Sequence, residues 1–343
     1  MDCGASTPEV LEVPGAESEA HEAALQGAPP ASSGTWYRWS AAELAEHLAQ
    51  QPVDSPQSAA ALLELLSGPR AGPPWAPDQP GEAIAPCVAA GCARLCRTAA
   101  DAGDADFSLA RLFEAIGRWA LAALGADESG SGSSIPEPCW PQSDADPRSR
   151  AFTAAECRGV LANLLLLNVD DPVGRVTGLK PAGKAGGLRL DRAMLLDNEV
   201  GAQKFCCLLQ YFVASMQSEG TADDSREVIF ERRTHAGIDP QEFKARILAA
   251  PHRQHGLPRV SLHEDGMEAV VGDAFVNFAN AVFGYGEFIP SCTQEEIIQV
   301  CCPEFNVGMF FIGTMRPDEA IVVHNCRRCA RAAATHCMHA VAV

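Results

Sequence analysis

The chain has 343 residues, 47% of them hydrophobic, and a formal net charge of −18 at pH 7. Residues 1–150 hold 8 Lys and Arg against 21 Asp and Glu, which argues against nucleic acid or an anionic membrane as a partner of that half. No uninterrupted run of about 18 apolar residues marks a membrane span, and residues 1–30 lack the basic start and apolar stretch of a secretory signal.

Residues 1–35 are acidic and rich in Ala, Pro and Ser, a composition that cannot offset the entropy of ordering, so a disordered tail is expected there. A helical pattern starts at Trp36. "SAAELAEHLAQQ" (40–51) opens with Ser40 as N-cap and Glu43 three residues on, a capping box. "SPQSAAALLELLSG" (55–68) ends on a glycine stop. Along 106–125, Leu109, Leu112, Phe113, Ile116, Trp119, Leu121 and Leu124 recur at 3/4 spacing. Residues 127–147 read as a flexible loop. Thr153 and Glu156 open a further helix with a second capping box, running into the apolar "VLANLLLLNV" (160–169), and 201–217 is another apolar helix. Residues 36–217 therefore predict an all-α layer within a helical domain over 36–225.

The period then changes. "EVIFERR" (227–233) alternates as a half-buried strand does, "LPRVSLHE" (257–264) and "EAVVGDAFVNFAN" (268–280) are strand-like, "TQEEIIQVCC" is helical up to Pro303, and "EAIVVHN" (319–325) is again a strand. Strand, glycine loop, helix, strand predicts the opening of an α/β unit with a parallel sheet. The 75 residues from Pro251 to Asn325 are too few to close such a sheet with both faces covered. A basic stretch with Arg232, Arg233, Lys244, Arg246, Arg253 and Arg259 either faces an anion or is a solvated surface.

Fourteen cysteines lie mostly inside apolar segments, as buried thiols of an intracellular chain do. Cys87, Cys92 and Cys96 share one helix face and read as core. His324, Cys326, Cys329, His336, Cys337 and His339 have the chemistry of zinc ligands, with Cys326-x-x-Cys329 as a knuckle. The second pair is tight and no strand-turn framework surrounds either, so no metal site is expected.

The densest chemistry is "FANAVFGYGEFIPSCTQEEI" (278–297). Glycines in Gly284-Tyr285-Gly286 let backbone approach phosphates. Seven residues on, Gln294-Glu295-Glu296 puts two carboxylates at a helix start, where one can protonate a leaving oxygen while the other accepts sugar hydroxyls. The plainer reading of the same spacing is a Thr293–Glu296 capping box with acids favoured by the helix dipole.

The order F-A-N, glycine turn, seven residues, Q-E-E resembles the signature of the poly(ADP-ribose) glycohydrolase family, and "FTAAECRGVLANLLLLNV", "KFCCLLQYF", "VIFERR" and "GDAFVNFAN" follow in that family's order over about 151–323. The resemblance implies an α+β or α/β fold: a helical accessory domain to residue 225, an incomplete macrodomain over 226–325, and an off-pattern tail over 326–343 from a truncated or mis-spliced product. It implies hydrolysis of ribose–ribose O-glycosidic bonds with Glu296 as general acid and base, and with Glu295 on ribose hydroxyls. Asn280 would hold the terminal ribose, Gly284 and Gly286 the diphosphate, and Gln294 the helix start. No cofactor or metal is expected; the partners are poly(ADP-ribose) or ADP-ribosylated proteins, not nucleic acid or membrane, met by a monomer in nucleus or cytoplasm. Two positions depart from the pattern: Tyr285 replaces the middle of three glycines, and Asn277 replaces an acid. An inactive or ADP-ribose-binding homologue, or a helical interaction scaffold, are the alternatives.

Overall fold

Ser40 Oγ accepts from the Glu43 N–H at 3.3 Å while Glu43 returns an acceptor to the Ser40 N–H at 2.9 Å, so the first helix, α1 (Ala41–Gln50), begins where its capping box dictates. The computed structural model describes residues 37, 39–67, 85–125, 149–169, 199–234, 241–242, 244–245, 294–312, 315 and 319–328. After α1 come α2 (Pro56–Ser67), α3 (Ala85–Asp101), α4 (Leu109–Ala123), β1 (Ser149–Thr153), α5 (Ala154–Leu165), α6 (Glu199–Ser218), β2 (Glu227–Thr234), α7 (Gln294–Cys301) and β3 (Glu319–His324). Two 3-10 segments, Ala222–Ser225 and Pro303–Phe310, flank β2 and α7.

The helices expected from the 3/4 spacing are present within about three residues of their predicted ends, apart from the run to residue 169. Helix α5 is central: all residues from Cys157 to Leu165 are buried, so a helix apolar all round is what its position requires. Its own capping box is formed, with Thr153 N–H to Glu156 Oε2 at 2.7 Å and Glu156 N–H to Thr153 Oγ1 at 3.2 Å. The apolar run to residue 169 does not stay helical. Leu167 takes a left-handed φ of 55°, and the Asn168 N–H reaches back to the Asn163 carbonyl at 2.9 Å while that of Leu167 reaches Leu164 at 3.1 Å. This is a Schellman stop with leucine where glycine is usual. Asn168 then accepts from the Trp39 N–H at 2.6 Å and donates to Asn163 Oδ1 at 2.7 Å, and Asn163 donates to the Ala120 carbonyl at 2.9 Å. Buried amides thus fasten the first turn of the layer to α4 and α5.

Close helix packing sets two glycines. A Cβ on Gly159 would stand 2.7 Å from Ala123 Cβ, and one on Gly91 2.9 Å from the Ala202 carbonyl and 2.8 Å from Phe205 Cδ1. The carbonyl belongs to α6 and cannot yield without moving that helix. Gly91→Ala should therefore destabilise the chain by about 1–2 kcal/mol, the overpacking cost outweighing the gain in helix propensity. A urea midpoint equal to or above the parent's would show that α3 and α6 have slack.

The sheet has the order β1-β2-β3 and is antiparallel throughout, with Phe152 opposite Val228 and Phe230 opposite Val323. The strand–glycine loop–helix–strand unit expected to pair in parallel begins at 268–280, outside the described residues, and the described strands pair antiparallel. Strand β1 also interrupts the span read as wholly helical; its "SRAFT" buries Phe152 alone, too little alternation to read as a strand. The inner face joins the helical core through an aromatic trio. Phe152, Phe230 and Phe311 have ring centroids 5.1–5.9 Å apart, two of the three contacts edge-on. Arg232 follows Val228 and Phe230 on the buried parity of β2, where it meets Glu319 of β3 at 3.3 Å with both side chains almost fully enclosed. It is a cross-strand ion pair, neither facing an anion nor solvated. Arg233 points outward and pairs with Glu231 at 2.9 Å.

Candidate functional site

Of the predicted site, the described residues include the helix that carries Q-E-E. Asn277, Asn280, Gly284, Tyr285, Gly286 and Thr293 lie outside them, as do the strand-like 257–264 and 268–280. Gln294 begins α7 and Glu296 lies in its first turn, the side chains of both being outside the described set. Glu295 is 4% exposed. Three apolar or thiol positions, Ile297, Val300 and Cys301, are buried along the same short helix, so the burial of α7 fixes its rotation about its own axis. Glu296 follows Glu295 by about 100° around that axis, and the positive end of the helix favours acids at both positions.

Helix α7 is held from two sides. Ile297 and Cys301 pack with Cys207 of α6 and with Cys302. Asn306, in the 3-10 segment beyond Pro303, donates to the Gln299 carbonyl at 3.0 Å. Pro303 stops α7, as expected, but the chain continues as a buried 3-10 segment whose Phe310, with Phe311 just after it, enters the main core.

The 3-10 segment is anchored by a charge cluster that spacing did not reveal. Glu304, 1% exposed, accepts from Arg226 Nη2 at 2.8 Å and Nη1 at 3.0 Å, and from the Arg327 backbone N–H at 2.7 Å. Arg226 also donates from Nε to Asp223 at 2.9 Å and to the Asn325 carbonyl. Arg327 reaches Ser218 Oγ at 2.9 Å and Asp223 at 3.3 Å. The hydrogen bond to Glu304, followed by the one to Asp223, raises the Arg226 guanidinium pKa against burial. The Arg226 contact in turn holds the Asp223 carboxyl below its ordinary range. Next to it, Arg158 of α5 donates to Asp224 at 2.7 Å and lies 4.7 Å from the Trp119 ring centroid. Burial pushes Asp224 up, but hydrogen bonds from Arg158 and the Gly220 N–H outweigh it and the carboxyl is lowered. The only signals in the sequence were an acid just after Pro303 and an arginine just before a strand, 78 residues apart.

His324 contacts Glu231 at 3.0 Å, and the Cys326 thiol points to the Cys302 carbonyl at 3.8 Å. Two residues of the zinc-like set are thus engaged with groups outside it; Cys329, His336, Cys337 and His339 lie outside the described residues. No described helix is long and apolar enough to cross a membrane.

Comparison with known proteins bears directly on this helix. Residues 250–336 match the family model described as poly(ADP-ribose) glycohydrolase, macro domain fold. The matched stretch contains the glycine turn, Q-E-E, α7, the Glu304 segment and β3, and it is short of half the chain. The family resemblance read from the motif order is therefore borne out over that stretch. A search of curated proteins finds no match. Among the described residues, mostly helical elements with a small three-stranded sheet are compatible with a macrodomain-like α/β fold.

Proposed function

We propose that the chain is a poly(ADP-ribose) glycohydrolase-like enzyme that cleaves the ribose–ribose O-glycosidic bond with Glu296 as its single acid and base. The observation that carries this reading is the family match over 250–336, which includes both the glycine turn and Gln294-Glu295-Glu296. In this reading Glu296 protonates the glycosidic oxygen as the bond opens, and an oxocarbenium-like ribose forms. The resulting carboxylate then takes a proton from the water that captures it. The neighbouring Glu295 accepts ribose hydroxyls and orients the scissile unit; its burial at the start of α7 supports a positioning role, because a buried carboxylate is held in one rotamer. Asn280 and Asn277 hold the terminal ribose, and Gly284 and Gly286 bring backbone N–H groups to the diphosphate while Gln294 sets the helix start. No step needs a cofactor. The substrates are poly(ADP-ribose) or ADP-ribosylated proteins.

Tyr285 favours a second reading, an ADP-ribose-binding homologue that does not cleave. A Cβ and a ring at the middle of the turn restrict φ and occupy space next to the diphosphate. Mixing the full chain with poly(ADP-ribose) separates the two. Release of ADP-ribose is the expected result, with a further rise in Tyr285→Gly. Retention of intact polymer on the protein, with no release from either form, would leave only the binding homologue.

A further inference from the structure

We propose that Cys302 and Cys326 are a peroxide-oxidised thiol pair that closes to an intramolecular disulfide, fastening the end of α7 to the exit of β3. Cys302 directly follows α7, and its carbonyl accepts from the Phe305 N–H at 2.9 Å. Cys326 is two residues beyond β3. It is placed by Asn325, which takes a left-handed φ of 58°, donates to the Glu227 carbonyl at 3.1 Å and offers its own carbonyl to Arg226. The next residue is pinned through the Arg327 N–H to Glu304. Both ends of the pair are therefore fixed by the charge cluster, and the Cys326 sulfur comes within 3.8 Å of the Cys302 carbonyl oxygen. Neither residue is fully buried, and both thiols are free.

The surroundings divide the labour. A hydrogen bond from the Cys326 side chain, helped by the Arg328 guanidinium, lowers the Cys302 thiol pKa against burial and Glu304. That same bond, with burial and the nearby Glu304 and Cys157, keeps the proton on Cys326. A thiol of lowered pKa beside one of raised pKa is the arrangement of an attacking and a resolving cysteine. The Cys302 thiolate attacks one oxygen of hydrogen peroxide; the O–O bond breaks, two electrons pass to peroxide, and hydroxide leaves. Cys326 then attacks the Cys302 sulfenic acid, the S–O bond breaks and water departs with the thiol proton. Two thiols and one peroxide give one disulfide and two waters. In reducing surroundings such bonds are transient and sensory rather than structural.

The test uses the intact chain, one equivalent of hydrogen peroxide, N-ethylmaleimide block and peptide mass mapping. The expected product is a Cys302–Cys326 linked peptide pair that dithiothreitol returns to two labelled thiols. In Cys326→Ser, shown folded by circular dichroism, Cys302 should be trapped by dimedone as the sulfenic acid. Should the variant misfold, the parent's peptide map decides alone. Full maleimide labelling of Cys302 after peroxide, or linkage to Cys157 or Cys301 instead, would overturn the proposal.

Discussion

Glu296→Gln should lower kcat on poly(ADP-ribose) by about 10²- to 10⁴-fold, or ~3–5 kcal/mol of barrier, while polymer affinity stays within a few-fold. The amide keeps the size and hydrogen-bonding reach of the carboxyl but can neither give nor take the proton, so only the transition state suffers. Glu295→Gln should behave differently. Its carboxylate is assigned to ribose hydroxyls in ground and transition states alike, so KM should rise with little change in kcat. The capped-helix reading of the same residues predicts something else again: Glu296→Gln would cost ~0.5–2 kcal/mol of stability as a lost cap and leave polymer chemistry unaltered. Initial-rate kinetics with a denaturation curve on one preparation distinguish these outcomes. ADP-ribose release by Glu296→Gln at close to the parent rate would remove Glu296 from the mechanism.

Breaking the Arg226–Glu304 pair should have the largest effect on stability. Glu304→Ala leaves the Arg327 N–H without its acceptor and Arg226 with Asp223 as its nearest acid. Removing one member of a buried pair costs about 3–5 kcal/mol, and because the Arg226 side chain is 23% exposed the lower end applies. Arg226→Ala should cost more, since it strands a carboxylate that is 1% exposed and lacks that access to water. Urea unfolding of both variants supplies the comparison. The order Arg226→Ala worse than Glu304→Ala is the point at risk, and a reversed order would mean that Glu304 finds a replacement donor. The loss should also appear at α7, because Glu304 and Asn306 belong to the same 3-10 segment.

Features that depend on residues three or four apart were legible in the sequence. The Ser40–Glu43 and Thr153–Glu156 boxes are formed as read, and α4 and α6 follow their apolar stripes. Alternation also located β2 and β3, within a residue of their predicted limits. What was illegible depends on partners far along the chain. Strand β1 exists because β2 pairs with it, and its own residues carry almost no pattern. A strand's alternation does not encode the identity or direction of its neighbour, so the antiparallel order β1-β2-β3 could not be read from it. Arg232 looked like surface because a charged residue at a buried parity needs Glu319, 87 residues away, to be tolerated. The site divides in the same way. Motif order located α7 and the family, but spacing alone could not say that Glu295 would be buried or that Glu304 would brace the helix behind it.

The separation of Arg226, just before β2, and of Arg232, within it, from Glu304 and Glu319 has a consequence in time. Arg226 and Arg232 precede Glu304 and Glu319 by 78 and 87 residues. At synthesis rates of about 5–20 residues per second, β2 waits roughly 4–17 s for these acids. Through that interval Arg226 has Asp223 and Arg233 has Glu231, but Arg232 has yet to meet Glu319 and Phe230 lacks Phe311 as a cover, whereas α1 to α6 already have one another. The growing chain thus carries an arginine and a phenylalanine on the inner face of β2 that stay without their later partners until residues 311 and 319 have been made.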